Sequence, residues 1–468
     1  MMAGVITREL PAQTAERTAQ NIVDAAASAR TAFAAAARAT TLDATLISLR
    51  KAAQAWPSQP AYWTAVARFA ARASDTLVLV EALTALRGMR TGGVVVTDTA
   101  ISRLRSIASV QHAVRALEEA THDLPAGHVI ATLLDSTVFA EGMDADARTG
   151  ALYVASIRHG TVYEVAADGR VRDLALARHP HVGAMLGVRV SPDGRSLFVT
   201  TAALPAYAGY SAADSTLSAL LQIRIRDGAL EQRWDMTADG SPHVFGDLAV
   251  APDGTVYVSD SYAPLLLRVR PGAGDFDTIT HGLFRSLQGI AVVPHSNTLI
   301  VADYSHGLLR VNVDTKSVHR ISDVPGTTSL GIDGIAWYEG SVVGVQNGVS
   351  PARVVRYHLN SDQSRIVRVV VVDQQPELAD EPTIGAMLGD GFVYVANSQW
   401  EKFDNAGRRR ATVPLQPTRL ICVSLAAERA TPDTAVQSVI GTARNGTRNT
   451  ASAPPPSRAC NVSDAPPE

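Results

Sequence analysis

Cysteine is almost absent. Only Cys422 and Cys460 occur in 468 residues, without a Cys-x-x-Cys pair or any spacing that fits zinc, so neither a disulfide framework nor a cysteine metal site is expected. Charge of one sign is also lacking: 42 Lys and Arg stand against 45 Asp and Glu, a formal net charge of −3. No basic field exists to hold a phosphate backbone or an anionic membrane surface, and nucleic-acid binding is not expected. No uncharged apolar run reaches the roughly 18 residues of a membrane span. The Ala-rich opening, NIVDAAASARTAFAAAARA, is interrupted by Asp24, Arg30 and Arg38. A basic stretch leading into a clean apolar run is missing too, so no signal peptide is visible. That points to a cytoplasmic protein, or to a periplasmic or secreted one whose signal has been removed. No G-x-S-x-G elbow, P-loop, H-E-x-x-H or paired-glycine fingerprint occurs, which leaves serine-hydrolase, nucleotide and zinc-protease readings without support.

What is present divides the chain. An Ala-rich arm or helix covers 1–41. Over 42–126 apolar residues recur at helical spacing, as in Leu42, Leu46, Leu49, then Tyr62, Val66, Phe69, then Leu77, Val80, Leu83, Leu86. Trp56-Pro57-Ser58-Gln59-Pro60 separates two helices and Ser74-Asp75 starts another. Such helix pairs resemble tetratricopeptide-like repeats, and a plain helical bundle fits the same pattern. From 127 to 425 the period changes to two, and short Val, Leu, Ile and Tyr runs alternate with turns. The tail, 426–468, is rich in Pro, Ala, Ser and Thr and is expected to be largely disordered.

The two-period region repeats. Six copies of an apolar strand, a turn such as Pro-Asp-Gly and a second strand begin at Glu141-Gly142, Leu186-Gly187, Gly246-Asp247, Gln288-Gly289, Asp333-Gly334 and Ile384-Gly385. The interval is 42 to 60 residues, which suits four strands per unit and therefore a six-bladed β-propeller behind a small all-α region. The last copy lacks a fourth strand, whereas Val129–Leu134 precedes the first copy unpaired. That segment is expected to complete the last blade and close the ring.

Inner strands of a propeller start at one face, so equivalent positions form a ring. The first residues of the six steps are Glu141, Leu186, Gly246, Gln288, Asp333 and Ile384. Glu141, Gln288 and Asp333 offer oxygens, and hard cations are held by several oxygens drawn together from distant positions. The EG, QG and DG steps of the first, fourth and fifth copies resemble the senescence-marker-protein, gluconolactonase and luciferin-regenerating-enzyme-like family of six-bladed propellers.

In that family a Glu, an Asn and an Asp on those blades hold a divalent metal, and members hydrolyse sugar lactones and related esters. The resemblance implies Glu141, Gln288 and Asp333 as ligands of a divalent ion, Ca²⁺ first and Zn²⁺ or Mn²⁺ otherwise. Gln288 departs from the family's Asn by one methylene. Asp333 is also implied as the catalytic group that positions or deprotonates water, and a small lactone or ester as the substrate.

Asp247 stands nearest to the family's substrate-contacting Asn. Asp260, Asp303, Asn347 and Asn397 end second strands at the same face, where they could line the mouth or satisfy turn amides. His243 lies in the loop leading into the third copy. Asp247, His243, Asn347 and Asn397 are therefore the substrate-binding candidates. The runs VSDSYAPLLLRV and VADYSHGLLRVN equally resemble NHL-repeat propellers, so a non-catalytic scaffold that binds a protein or peptide, in part through the helices, is the alternative.

Overall fold

The computed structural model of the chain describes residues 11–214, 217–236, 240–410, 413–426 and 460. The tail expected to be disordered lies, apart from its first residue and Cys460, outside the described residues.

Six helices come first: α1 (Pro11–Arg38), α2 (Leu42–Ala55), α3 (Pro60–Arg72), α4 (Thr76–Met89), α5 (Thr99–Arg103) and α6 (Ala108–Ala120). The starts of α2, α3 and α4 have a local cause. The Thr41 hydroxyl accepts the Ala44 N–H at 3.2 Å, Asp75 accepts that of Val78 at 3.0 Å, and Pro60 occupies the first turn of α3. The apolar stripes then face one another: Leu46, Leu49, Trp63, Val66, Leu79, Leu83, Leu86, Val114 and Leu117 share a core. Among the described residues no helix is long and apolar enough to cross a membrane.

Beyond them stand six four-stranded antiparallel sheets, the blades of a propeller. Blades 1 to 5 occupy 140–173, 184–235, 245–280, 287–320 and 335–373, each with its strands in sequence order. Blade 6 takes three strands from 385–424 and its outermost from His128–Leu133, which pairs antiparallel with Thr418–Ser424. A strand from before the first blade thus closes the ring, as the unpaired Val129–Leu134 segment implied.

The repeated step explains how the ring packs. A Cβ on Gly142 would stand 2.0 Å from Leu186 O, one on Gly289 2.6 Å from Asp333 O, and one on Gly334 2.6 Å from the Cα of Ile384. The inner strands converge so closely on the axis that these three glycines lie against the first residue of the next step. In blades 1 to 4 the pairing register also shifts at this step, between Ala140 and Met143, Met185 and Val188, Phe245 and Asp247, and Leu287 and Ile290. Such bulges turn a side chain out of its alternation and are common beside functional sites.

The expectation that the cysteines stay apart is corrected. Cys422, on the third strand of blade 6, is joined to Cys460 with their Cα atoms 5.6 Å apart. Gly391 leaves the space, since a Cβ there would lie 2.7 and 2.8 Å from the two sulfurs. The Cys460 carbonyl meets His128 Nε2 at 2.5 Å, so the disulfide sits on the strand pair that closes the ring.

The helices dock on the face where inner strands begin, at blades 4 and 5. Buried Arg353 donates to Met89 O at 3.0 Å and Arg90 O at 2.6 Å, at the C-terminus of α4. Gly92 N–H donates to Ser350 O at 2.6 Å, and Gln374 reaches Thr121 O and His122 O after α6.

Candidate functional site

The steps bring Glu141, Gln288 and Asp333 to one mouth of the central channel. Glu141 is buried, and the Trp400 indole N–H donates to its Oε2 at 2.7 Å. Asp333, part-exposed, keeps its backbone in the blade through Val345 O at 2.8 Å. Its Oδ2 accepts from Asn347 Nδ2 at 2.8 Å and Thr383 Oγ1 at 2.9 Å. Oδ1 is left without either donor. Asn347 is held in turn, donating to Pro382 O at 3.0 Å and accepting from the Tyr304 hydroxyl at 3.1 Å.

Burial, then the nearby charge of Asp333, pushes the Glu141 carboxyl well above the usual carboxylate range. Burial pushes Asp333 up as well, against the pull of the Thr383 and Asn347 hydrogen bonds. Burial and the Asp333 charge push the Tyr304 phenol up to about 12. Gln288 is only loosely engaged, with Ser261 Oγ 3.4 Å from its Oε1 and Ser286 Oγ 3.5 Å from its Nε2. Among the described residues no group of three or more His, Cys, Asp or Glu is close enough to hold a metal ion. Glu141, Gln288 and Asp333 themselves offer two carboxylates and one amide.

The other expected residues separate. Asn347 belongs to the mouth because it fixes Asp333. Asp247 lies in the channel, 1% exposed, with Oδ2 3.1 Å from Arg189 and Oδ1 lacking a partner among the described residues. Burial pushes its pKa to about 6 although Arg189 opposes the shift. His243 is buried against Asp260, Nδ1 to Oδ2 2.5 Å. Asp260 also accepts the Tyr262 and Ala263 N–H groups at 2.9 Å, and Asp303 accepts those of Arg285, Ser286, Ser305 and His306. These two aspartates serve turn amides. Asn397 does the same, donating to Pro417 O at 3.0 Å and accepting from Arg419 N at 2.9 Å, so its side chain is committed to backbone.

Thr383, Tyr304, Trp400 and Glu381 also belong to the mouth, and the repeat pattern gave no notice of them. Glu381 precedes Pro382-Thr383, its charge reaches Glu141, and burial raises its pKa to about 7. Trp400 comes from the long connection between the second and third strands of blade 6. That excess length was the one available signal. Leu186 and Ile384 fill their ring positions as apolar walls. At the opposite mouth Asp144, Arg189, Ile290, Trp337 and Met387 line a cavity of about 260 Å³.

No protein-family model matches the chain, and no curated protein matches it in sequence. Solved propellers similar to it include a catalytically inactive virginiamycin B lyase from Staphylococcus aureus with quinupristin. It is 12% identical with a TM-score of 0.42, covering 61% of this chain and 80% of that one. A calcium-binding regucalcin from Agrobacterium tumefaciens is 16% identical with a TM-score of 0.42, over 63% and 93%. A gluconolactonase from Xanthomonas campestris is 13% identical with a TM-score of 0.42, over 64% and 91%. The fold assignment rests on the sheet order itself.

Proposed function

We propose that the mouth bearing Glu141 and Asp333 is a cation-dependent hydrolytic site for a small lactone or ester. The observation that carries this reading is the carboxylate pair. Burial raises the pKa of both carboxyls, that of Glu141 further through the charge of Asp333, and the Trp400 bond falls on Glu141 Oε2 while the Asn347 and Thr383 bonds fall on Asp333 Oδ2. Positive charge is what such a pair lacks. An all-oxygen donor set suits a hard cation such as Ca²⁺, with water completing its shell. Glu141 and Asp333 would hold it, and the loosely engaged Gln288 can turn its carbonyl oxygen toward it.

When bound, such an ion supplies the charge that polarises a carbonyl and lowers the pKa of a water. The remaining tasks fall to the chain. Asp333, oriented through Oδ2 by Asn347 and Thr383, presents Oδ1 to position a water and take its proton. Tyr304, kept protonated, fixes Asn347 and with Ser261 offers hydroxyl groups to a polar substrate. The alternative, capture of a protein partner, rests on Ile47 and Leu77, 69% and 84% exposed on α2 and α4. It leaves the carboxylate pair without a task and is the second reading.

The test is calorimetric titration of Ca²⁺, then Zn²⁺ and Mn²⁺, into chelator-treated protein alongside Asp333→Ala. Binding near one ion per chain that vanishes in the variant is expected, followed by lactone or ester hydrolysis that the variant lacks. Absence of binding in both proteins removes the cation mechanism and leaves partner capture.

A further inference from the structure

Residues 399–410 leave the second strand of blade 6 as a strap across blade 1 toward blade 2. Its base is pinned by Gln399, whose Nε2 donates to Ser136 O at 3.1 Å and whose Oε1 accepts from Gln416 N at 2.9 Å. Phe403 stacks on Phe139 with centroids 4.9 Å apart, and Gly407 lies so close to Pro205 that a Cβ would sit 1.9 Å from its carbonyl oxygen. Three consecutive residues then address three carboxylates. Trp400 donates to Glu141, Glu401 N–H donates to Glu381 Oε1 at 3.0 Å, and Lys402 Nζ stands 3.7 Å from Asp380.

We propose that Trp400 is a positioning residue of the cation site, its indole N–H fixing Glu141 so that Oε1 is the oxygen offered to the ion. The inference rests on the cation reading above. The Thr383 hydroxyl lies beside both carboxylates and donates to Asp333 Oδ2 at 2.9 Å. The indole N–H, which has no acceptor role to share, donates to Glu141 Oε2 at 2.7 Å. Ligating carboxylates are commonly oriented by such an outer hydrogen bond, and losing one costs roughly 10- to 100-fold in metal affinity. The indole also packs edge-on against Phe139 with centroids 4.9 Å apart. A ligand on blade 1 is thus held by a strap from blade 6, across the seam where the ring closes.

The test uses full-length, chelator-treated wild type, Trp400→Phe and Phe403→Leu, with Tb³⁺ luminescence excited through indole and Ca²⁺ calorimetry. Wild type should give sensitised Tb³⁺ emission that Ca²⁺ displaces. Trp400→Phe should lose that emission and bind Ca²⁺ about 10- to 100-fold more weakly, with its thermal melt retained. Phe403→Leu loosens the strap but keeps the donor, and should bind within about threefold of wild type. Equal Ca²⁺ affinity in Trp400→Phe and wild type overturns the positioning role while the cation reading stands. An equal loss in both variants also overturns it, because strap packing and not the N–H bond would then be responsible. No ion bound by wild type overturns the inference together with the reading beneath it.

Discussion

Asp247 stands where the five other repeats place Gly142, Gly187, Gly289, Gly334 and Gly385, and this exchange puts a carboxylate inside the channel. Its pKa is raised from 3.8 to about 6. Below pH 4 the group is protonated in both folded and unfolded chains. Between about pH 4 and 6 the unfolded chain releases the proton while the folded one retains it, so stability falls as pH rises and stays lowered above 6. Asp247→Asn removes that titration. The variant's unfolding free energy relative to wild type should therefore improve by about 2 kcal/mol between pH 4 and pH 7, whatever it loses by stripping Arg189 of its anion. Urea melts at the two pH values measure this, and a constant difference would show that folding leaves the Asp247 pKa unshifted. At this scale Glu141, Gln288 and Asp333 were legible because the repeat puts equivalent positions on one ring. Thr383, Tyr304 and Trp400 were not, since their roles depend on how loops of different blades meet.

Strands and turns were the most legible elements, because period-two runs broken by Pro-Asp-Gly turns leave little else to build. Even the closing strand could be read, as an unpaired segment and a blade one strand short. The cysteine pair could not: its partners lie 38 residues apart, one in a strand and one in a Pro-rich tail, and sequence spacing carries no Cα distance. Removing the cross-link with Cys460→Ser should cost up to about 4 kcal/mol on the chain-entropy account for a loop of that size. The loss should concentrate at the seam. Hydrogen exchange should rise first in His128–Leu133 and Thr418–Ser424, the pair that Cys460 adjoins through Cys422 and His128. Protein from an oxidising compartment, where such bonds persist, should show no free thiol after denaturation, and two free thiols would contradict the pairing.

Across the whole molecule, helices and propeller could each be read from periodicity, but their relation could not, because it depends on a few groups distant in sequence. Arg353 is the central one. It is 3% exposed, and burial lowers its pKa only to about 10, so it stays charged at neutral pH and caps the negative end of α4 from the propeller side. Its Nε also donates to Gln346 Oε1 at 2.8 Å, and the next residue, Asn347, is the one that orients Asp333. The docking of α4 and the placement of the Asp333 carboxylate thus share adjacent residues at the end of one strand. Arg353→Met fills the space but leaves the Met89 and Arg90 carbonyls and Gln346 without their donor, at a cost of roughly 1 to 3 kcal/mol for a buried group left unsatisfied. Hydrogen exchange should then quicken in α4 and in Ser341–Gln346 while blades 1 and 2 keep their protection. If the helices were an independent module tethered to the propeller, the same variant would leave α4 as protected as in wild type, and the link from helices to Asp333 would be lost.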